Sequence, residues 1–147
     1  MIPFIHSLDL ELQKFKILPL YRQNEFMTKK AQELTTVLSD LKKDYLAKLP
    51  NRIEKLYELA GNENWEDLYT EYHKLKGTGK TYGFPEISIA CERLESLVQQ
   101  EENQKVSFFK EAASLIKDIH LSYIEGKKID IASHPFGKTL LRSGRNK

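Results

Sequence analysis

The chain has little of what several protein classes require. Its 147 residues include a single cysteine, Cys91, so an internal disulfide is excluded and a reducing compartment is favoured. No stretch approaches the ~20 consecutive apolar residues of a membrane-spanning helix. The first twenty residues carry four charged side chains, which is incompatible with the hydrophobic part of a secretory leader. We therefore expect a soluble, cytoplasmic protein without a membrane span.

Signals for strands, metal sites and nucleotide sites are also missing. No run of β-branched residues alternates with polar ones, so no β-strand is predicted. The four histidines, at positions 6, 73, 120 and 134, are far apart and lack a cysteine partner at metal-ligand spacing. There is no glycine-rich phosphate loop and no kinase signature. We expect no metal and no cofactor of the protein's own, and no phosphorylation from ATP.

Charge is distributed unevenly along the chain. The formal net charge is +2, but residues 126–147 hold six basic side chains against Asp130 alone, which leaves residues 1–125 acidic. We interpret residues 126–147 as a basic, flexible tail. No aromatic residues alternate with the basic ones, so base stacking and nucleic-acid binding are not expected. The alternative is a tail that binds nucleic acid or acidic lipid, with the rest of the protein as a scaffold.

Helical periodicity dominates the chain from residue 34 onward. Four amphipathic segments are separated by Gly61-Asn62, by Gly83 and by the polar run 99–105. Short loops between four such helices predict an all-α fold, an antiparallel four-helix bundle over residues 34–125. Pro50 either kinks one long helix or begins a second one. Residues 1–33 form an N-terminal extension that caps the bundle, adds a helix or contacts a partner.

The most informative stretch is Tyr72-His73-Lys74-Leu75-Lys76-Gly77-Thr78-Gly79. Positions i, i+3 and i+4 share a helix face, so Lys76 and Gly77 border His73. A mid-helix glycine costs about 0.5–1 kcal/mol relative to alanine. Without a β-carbon at Gly77, another protein can approach the imidazole. The alternative interpretation is an ordinary exposed histidine on an amphipathic helix.

The sequence around His73 resembles the histidine phosphotransfer (HPt) domain. The resemblance rests on His73-x-Leu75-Lys76-Gly77, on Gly83 ten residues after the histidine, and on the helix containing Cys91-Glu92-Arg93-Leu94-Glu95. The segments Asp44–Pro50 and Asn64–Leu68 are similar to the family in type and spacing. The similarity covers residues 34–124 and agrees with the predicted bundle.

The resemblance implies a carrier in a two-component phosphorelay. His73 would accept a phosphoryl group from a receiver-domain aspartate and pass it to another receiver, and the partner would supply magnesium. Lys76 would neutralise phosphoryl charge, and Gly77 would provide clearance. Glu95 would orient the imidazole or simply be solvated, and Lys80 would add positive field or solvate its flank.

The partners implied are the receiver domains of hybrid sensor kinases and response regulators. Such a protein is a phosphoryl carrier rather than an ATP-dependent kinase. A different class remains open, namely a helical interaction module that binds a regulator without phosphotransfer. His73→Gln separates the two, because only the relay depends on the imidazole.

Overall fold

The computed structural model describes the backbone of residues 20–145 and the side chains of residues 25–143. All regular structure in this range is helical, which confirms the predicted all-α class. The five α-helices are α1 (Leu20–Gly61), α2 (Trp65–Thr81), α3 (Pro85–Val98), α4 (Val106–Ile124) and α5 (Pro135–Arg145), with 3₁₀ turns at Glu101–Asn103 and Ile131–Ser133. Of the predicted N-terminal extension, residues 1–19 lie outside the described range, and residues 20–33 begin α1.

The chain divides into two compact units, Met1–Asp40 and Leu41–Lys147. In the first unit the described part is helical, and its large apolar side chains are exposed: Phe26, Met27, Leu34, Val37 and Leu38. The predicted bundle began at residue 34, but the buried series begins at Tyr45, and Leu41 is 42% exposed. Periodicity correctly predicted the helix here. Burial additionally requires a packing partner, which a single-helix pattern does not report.

The second unit contains the hydrophobic core. Leu49 and Leu56 from α1 are fully buried, as are Leu68 and Leu75 from α2, Leu94 from α3, and Phe109 and Ile116 from α4. Trp65 and Tyr72 of α2 both contact the Phe109 ring, at centroid distances of 5.6 and 6.1 Å. These contacts fix the rotation of α2 about its axis and so determine which of its residues face solvent.

Pro50 lies inside α1, so the chain forms one long helix here and does not begin a second helix at the proline. Proline has no backbone N–H and cannot donate to the carbonyl four residues earlier, that of Leu46. His120 on α4 supplies the missing donor, because its Nε2 lies 3.0 Å from the Leu46 carbonyl oxygen. The residue is buried, with 8% of its surface exposed. The nitrogen must be protonated to donate to a carbonyl. His120 is therefore a structural residue.

Three helices end in the same hydrogen-bonded turn. A residue with positive φ follows each helix, namely Glu63 after α1, Gly83 after α2 and Gly126 after α4. In each turn the N–H of that residue bonds the carbonyl three residues back, and the next N–H bonds the carbonyl five residues back. This is the Schellman motif, which favours glycine at the positive-φ position. Glu63, with φ of 53°, is the exception.

The expectation of a flexible basic tail differs from the structure. Ile131, Phe136 and Leu140 are buried members of the core, and Leu140 is fully buried. The His134 Nδ1 atom accepts hydrogen bonds from the backbone N–H groups of Phe136 and Gly137 at the start of α5. The basic side chains Lys138 and Arg142 are exposed on the same helix. The segment was predicted to be flexible because of its positive charge, but it contains an amphipathic helix whose apolar face packs against the core.

Candidate functional site

His73 lies in the middle of α2 with its side chain 62% exposed. The helix begins at Trp65, where Asn64 caps it by accepting the Asp67 N–H at 3.2 Å. This N-cap and the buried side chains of α2 hold the helix in place, which leaves His73 on the side away from the core. The Tyr69 ring, one turn earlier, is stacked on the imidazole with centroids 6.2 Å apart and planes at 22°.

Glu95 on α3 contacts the imidazole directly. Its Oε2 lies 2.9 Å from His73 Nδ1, and its side chain is 13% exposed. An ionised carboxylate only accepts hydrogen bonds, so Nδ1 carries the proton. The neutral imidazole then has its lone pair at Nε2. The outcome is a solvent-accessible ring whose tautomer is set by a mostly buried carboxylate.

Lys76 is bound to the same carboxylate. Its Nζ donates to Glu95 Oε1 at 2.5 Å, so His73 and Lys76 occupy the two oxygens of one carboxylate. Burial alone would raise the pKa of Glu95, but the hydrogen bonds from Lys76 and His73 outweigh it and lower that pKa. The hydrogen bond to Glu95 raises the pKa of Lys76. Both charges are therefore maintained at neutral pH.

A second contact couples α2 to α3 beside this group. The Ser88 hydroxyl donates to the Lys76 carbonyl at 2.7 Å. Close approach of the helices is possible because Gly79 lacks a β-carbon: an added one would lie 3.1 Å from the Phe84 carbonyl oxygen and the Ser88 nitrogen. Gly79 and Ser88 together set the spacing that lets Glu95 reach His73.

Gly77 has a different environment from Gly79. A β-carbon added at Gly77 would meet no atom within 4 Å, and the residue is exposed. Internal packing therefore does not require glycine at position 77, and alanine there would make the helix more stable. Open space beside His73 is what a close-approaching partner needs. Lys80, one turn beyond Lys76, is exposed.

Three features of this site were not predicted from the sequence. They are the Lys76–Glu95 contact, the hydrogen bond from Ser88 to Lys76 and the stacking of Tyr69 on His73. Tyr69 was identifiable in principle, since it precedes His73 by four residues on one face of the helix. Contacts between α2 and α3 carry no such local signal. Cys91, predicted to be a core residue, is fully buried, and burial raises the pKa of its thiol well above the usual range.

Other kinds of site find no support among the residues that the structure describes. The described side chains, those of residues 25–143, include no cluster of three or more His, Cys, Asp or Glu arranged to hold a metal ion. None of their helices is long and apolar enough to cross a membrane.

In the part of the chain that the structure describes, fold and site together define an all-helical domain with an exposed histidine, which is oriented by a carboxylate on the neighbouring helix. The chain matches the Hpt domain over residues 40–124, which is more than half of its length. It belongs to this family, which connects it to histidine phosphotransfer in two-component systems. Comparisons with curated proteins and with solved structures gave no match.

Proposed function

We propose that this protein is the intermediate carrier of a phosphorelay, with His73 as its phosphoryl acceptor. The observation that carries the proposal is the exposed imidazole with Nδ1 bound to Glu95, which directs the lone pair of Nε2 to solvent. Domains of this family typically interact with receiver domains. The chain would receive the group from an aspartyl phosphate of one receiver and deliver it to another. We further propose that the helices of residues 41–124 pack as an antiparallel four-helix bundle.

The chemistry requires one bond to form and one to break. The Nε2 lone pair attacks phosphorus, the bond from phosphorus to the aspartate oxygen breaks, and the aspartate leaves as a carboxylate. The product ring still carries its Nδ1 proton and gains a positive charge. Glu95, hydrogen-bonded to that proton, stabilises the charge as it develops. The reverse sequence returns the group to a second aspartate, so direction depends on which receiver is phosphorylated.

Lys76 and Gly77 have separate roles in the proposal. Lys76 keeps Glu95 ionised and fixed while the imidazole is unmodified, because its ammonium is hydrogen-bonded to that carboxylate. The ammonium has three N–H donors, so Lys76 would also be able to neutralise the phosphoryl group, as the family resemblance implies, through a donor that Glu95 does not occupy. Gly77 supplies the clearance for the receiver. Lys80 adds positive charge on the same flank. The receiver supplies the magnesium ion, and the carrier needs no cofactor.

Transfer of radiolabelled phosphate from a panel of phosphorylated receivers tests the proposal. We expect acid-labile, base-stable label on the wild type, none on His73→Gln, and full label on the control His134→Gln, with folding verified for each. Receiver binding without label on any variant would instead support the interaction module. Label that persists on His73→Gln would overturn the assignment of the acceptor.

A further inference from the structure

A small cleft lies between α1 and α2, on a different side of α2 from the imidazole. Its walls are the α1 side chains of residues 41–52 that face α2, together with Thr78 and Tyr82, and its volume is about 150 Å³. Thr78 is five residues beyond His73, which places it about 140° around the helix. The cleft is thus separate from the phosphotransfer site, and ligand binding in it does not depend on the proposed function.

Arg52 supplies the cleft with a positive charge that nothing balances. Its Nη1 is buried without a hydrogen-bond acceptor, and Arg52 has no ion pair among the residues that the structure describes. The neighbouring Lys48 differs, because its ammonium lies 3.0 Å from the Asp44 carboxylate. The three charged side chains of the cleft therefore sum to one positive charge. A buried guanidinium donor without an acceptor is unfavourable, so a rotation of the side chain that brings Nη1 to an acceptor in the cleft would be stabilising.

Hydroxyl groups line the rest of the cleft. Tyr45 and Thr78 are hydrogen-bonded through their oxygens at 3.2 Å, and the Tyr82 ring lies 5.2 Å from the Tyr45 ring. Desolvation raises the pKa of Tyr45, which keeps its phenol protonated and able to donate. Leu41 completes the walls with an apolar side chain. The lining combines two cations, Lys48 and Arg52, with the single carboxylate of Asp44 and with hydroxyl groups, so its net charge is +1.

We propose that this cleft binds a carboxylate through the Arg52 guanidinium. Guanidinium and carboxylate match as a planar two-bond pair, and one uncompensated positive charge suits a monoanion better than a phosphate dianion. At ~30 Å³ per water molecule, the cleft has room for about five waters. That space accommodates a short carboxylic acid or the end of a Glu or Asp side chain. A lysine ammonium has no planar fork, so a site with lysine alone would not show this preference for the two oxygens of a carboxylate.

Titration of the ¹⁵N-labelled full chain with sodium acetate, at ionic strength held constant with chloride, tests the proposal by amide chemical shifts. We expect saturable shifts confined to residues around Tyr45, Arg52 and Thr78, with a Kd of about 10 mM or tighter. Arg52→Gln should abolish them, whereas Arg93→Gln, the same charge change on α3, should leave them intact. Shifts that are linear, dispersed or unaffected by Arg52→Gln would overturn the proposal, as would tighter binding of phosphate.

Arg52→Lys separates shape from charge. This variant keeps the positive charge but loses the planar fork, and we expect acetate to bind it at least about tenfold more weakly. Equal binding would contradict the two-bond assignment. A blocked glutamate, N-acetylglutamate amide bearing a free side-chain carboxylate, distinguishes the source of the ligand. Binding comparable to acetate indicates a protein-borne carboxylate, and binding of acetate alone indicates a free small acid.

Discussion

At the scale of single residues, one carboxylate determines the chemistry of the exposed imidazole. Glu95 accepts from His73 and from Lys76 through different oxygens, 2.9 and 2.5 Å away. Its own charge is preserved by those two donors in spite of its partial burial. In the proposed relay, the nucleophilic nitrogen of His73 is therefore selected by a residue on another helix, and its reactivity would depend on how α2 and α3 are spaced.

Replacing Glu95 tests this dependence. Glu95→Gln keeps an oxygen that can accept from Nδ1 but removes the charge that, in the proposed relay, would stabilise the phosphorylated ring. We expect phosphoryl transfer to slow roughly ten- to a hundredfold, by analogy with the cost of replacing the hydrogen-bond partner of a metal-ligating histidine. Transfer rates measured beside Glu111→Gln, an exposed glutamate on α4, provide the comparison. An unchanged rate for Glu95→Gln would remove Glu95 from the mechanism.

The same variant has a second readout in stability. A carboxyl group whose pKa is lowered by folding stabilises the protein above its unfolded pKa, and this contribution is lost as pH falls through the folded pKa. For Glu95 the loss occurs below the ordinary value of 4.5. We therefore expect acid unfolding curves of Glu95→Gln to be shallower below that pH than those of the wild type. Superimposable curves would show that the two hydrogen bonds contribute nothing measurable.

The two glycines of α2 should respond in opposite directions to substitution by alanine. Gly77→Ala adds a β-carbon in open space and should raise the free energy of unfolding by about 0.5–1 kcal/mol. Gly79→Ala places a β-carbon within 3.2 Å of α3 atoms and should lower it by about 1–3 kcal/mol. Urea unfolding of both variants checks this pair of signs.

Clearance at Gly77 has its own consequence for transfer. A long side chain in Gly77→Gln should leave folding intact but displace the docking receiver, and a shift of about 1 Å reduces rates roughly a hundredfold. Normal transfer by this variant would show that Gly77 is not needed for clearance.

At the scale of helices, α1 contains a hydrogen-bonding defect that α4 repairs. Pro50 leaves the Leu46 carbonyl without its helical donor, and His120 donates to it at 3.0 Å. His120→Phe should therefore cost about 1–3 kcal/mol, because a buried acceptor loses its partner. Pro50→Ala restores the backbone donor, so the same His120 substitution should cost less in that background. Equal costs in a double-mutant cycle would disprove the coupling.

The turn after α1 offers a stabilising substitution. Glu63 has a left-handed backbone conformation, which costs a non-glycine residue roughly 1–2 kcal/mol, while the equivalent turns after α2 and α4 use glycine. Glu63→Gly should raise the free energy of unfolding by about 1 kcal/mol. Glu54→Gly, at an exposed position in the interior of α1, serves as the opposite control and should be destabilising. A loss of stability in Glu63→Gly would contradict the assigned strain.

At the scale of the whole molecule, the C-terminal segment is part of the fold. Leu140 is fully buried, so Leu140→Ala should lower the free energy of unfolding by about 2–5 kcal/mol, whereas the exposed Thr139→Ala should change it little. Equal stabilities would show that α5 does not pack as described. Deleting residues 126–147 would remove core residues together with charge. Lys138→Gln and Arg142→Gln are therefore the appropriate test of nucleic-acid or lipid binding.

The sequence predicts the bounds of helices better than it predicts the contacts between them. Periodicity and capping residues predicted α2 and α3 well, because Asn64, Gly83 and Pro85 act locally. The pairing of His73 with Glu95 was anticipated only through family resemblance, since no local pattern reports contacts between helices. The packing of the C-terminal segment was missed because its buried residues Ile131, Phe136 and Leu140 are dispersed among basic ones.

The proposed relay places the phosphoryl group on Nε2 of His73 while Nδ1 stays protonated against Glu95. Nitrogen–proton and nitrogen–phosphorus correlation spectra of the histidine-labelled protein, recorded before and after phosphorylation by a receiver, test this assignment. We expect an Nδ1–H tautomer at His73 before transfer and phosphorus coupling to Nε2 afterwards. Phosphorus coupling to Nδ1, or to a histidine other than His73, would contradict it.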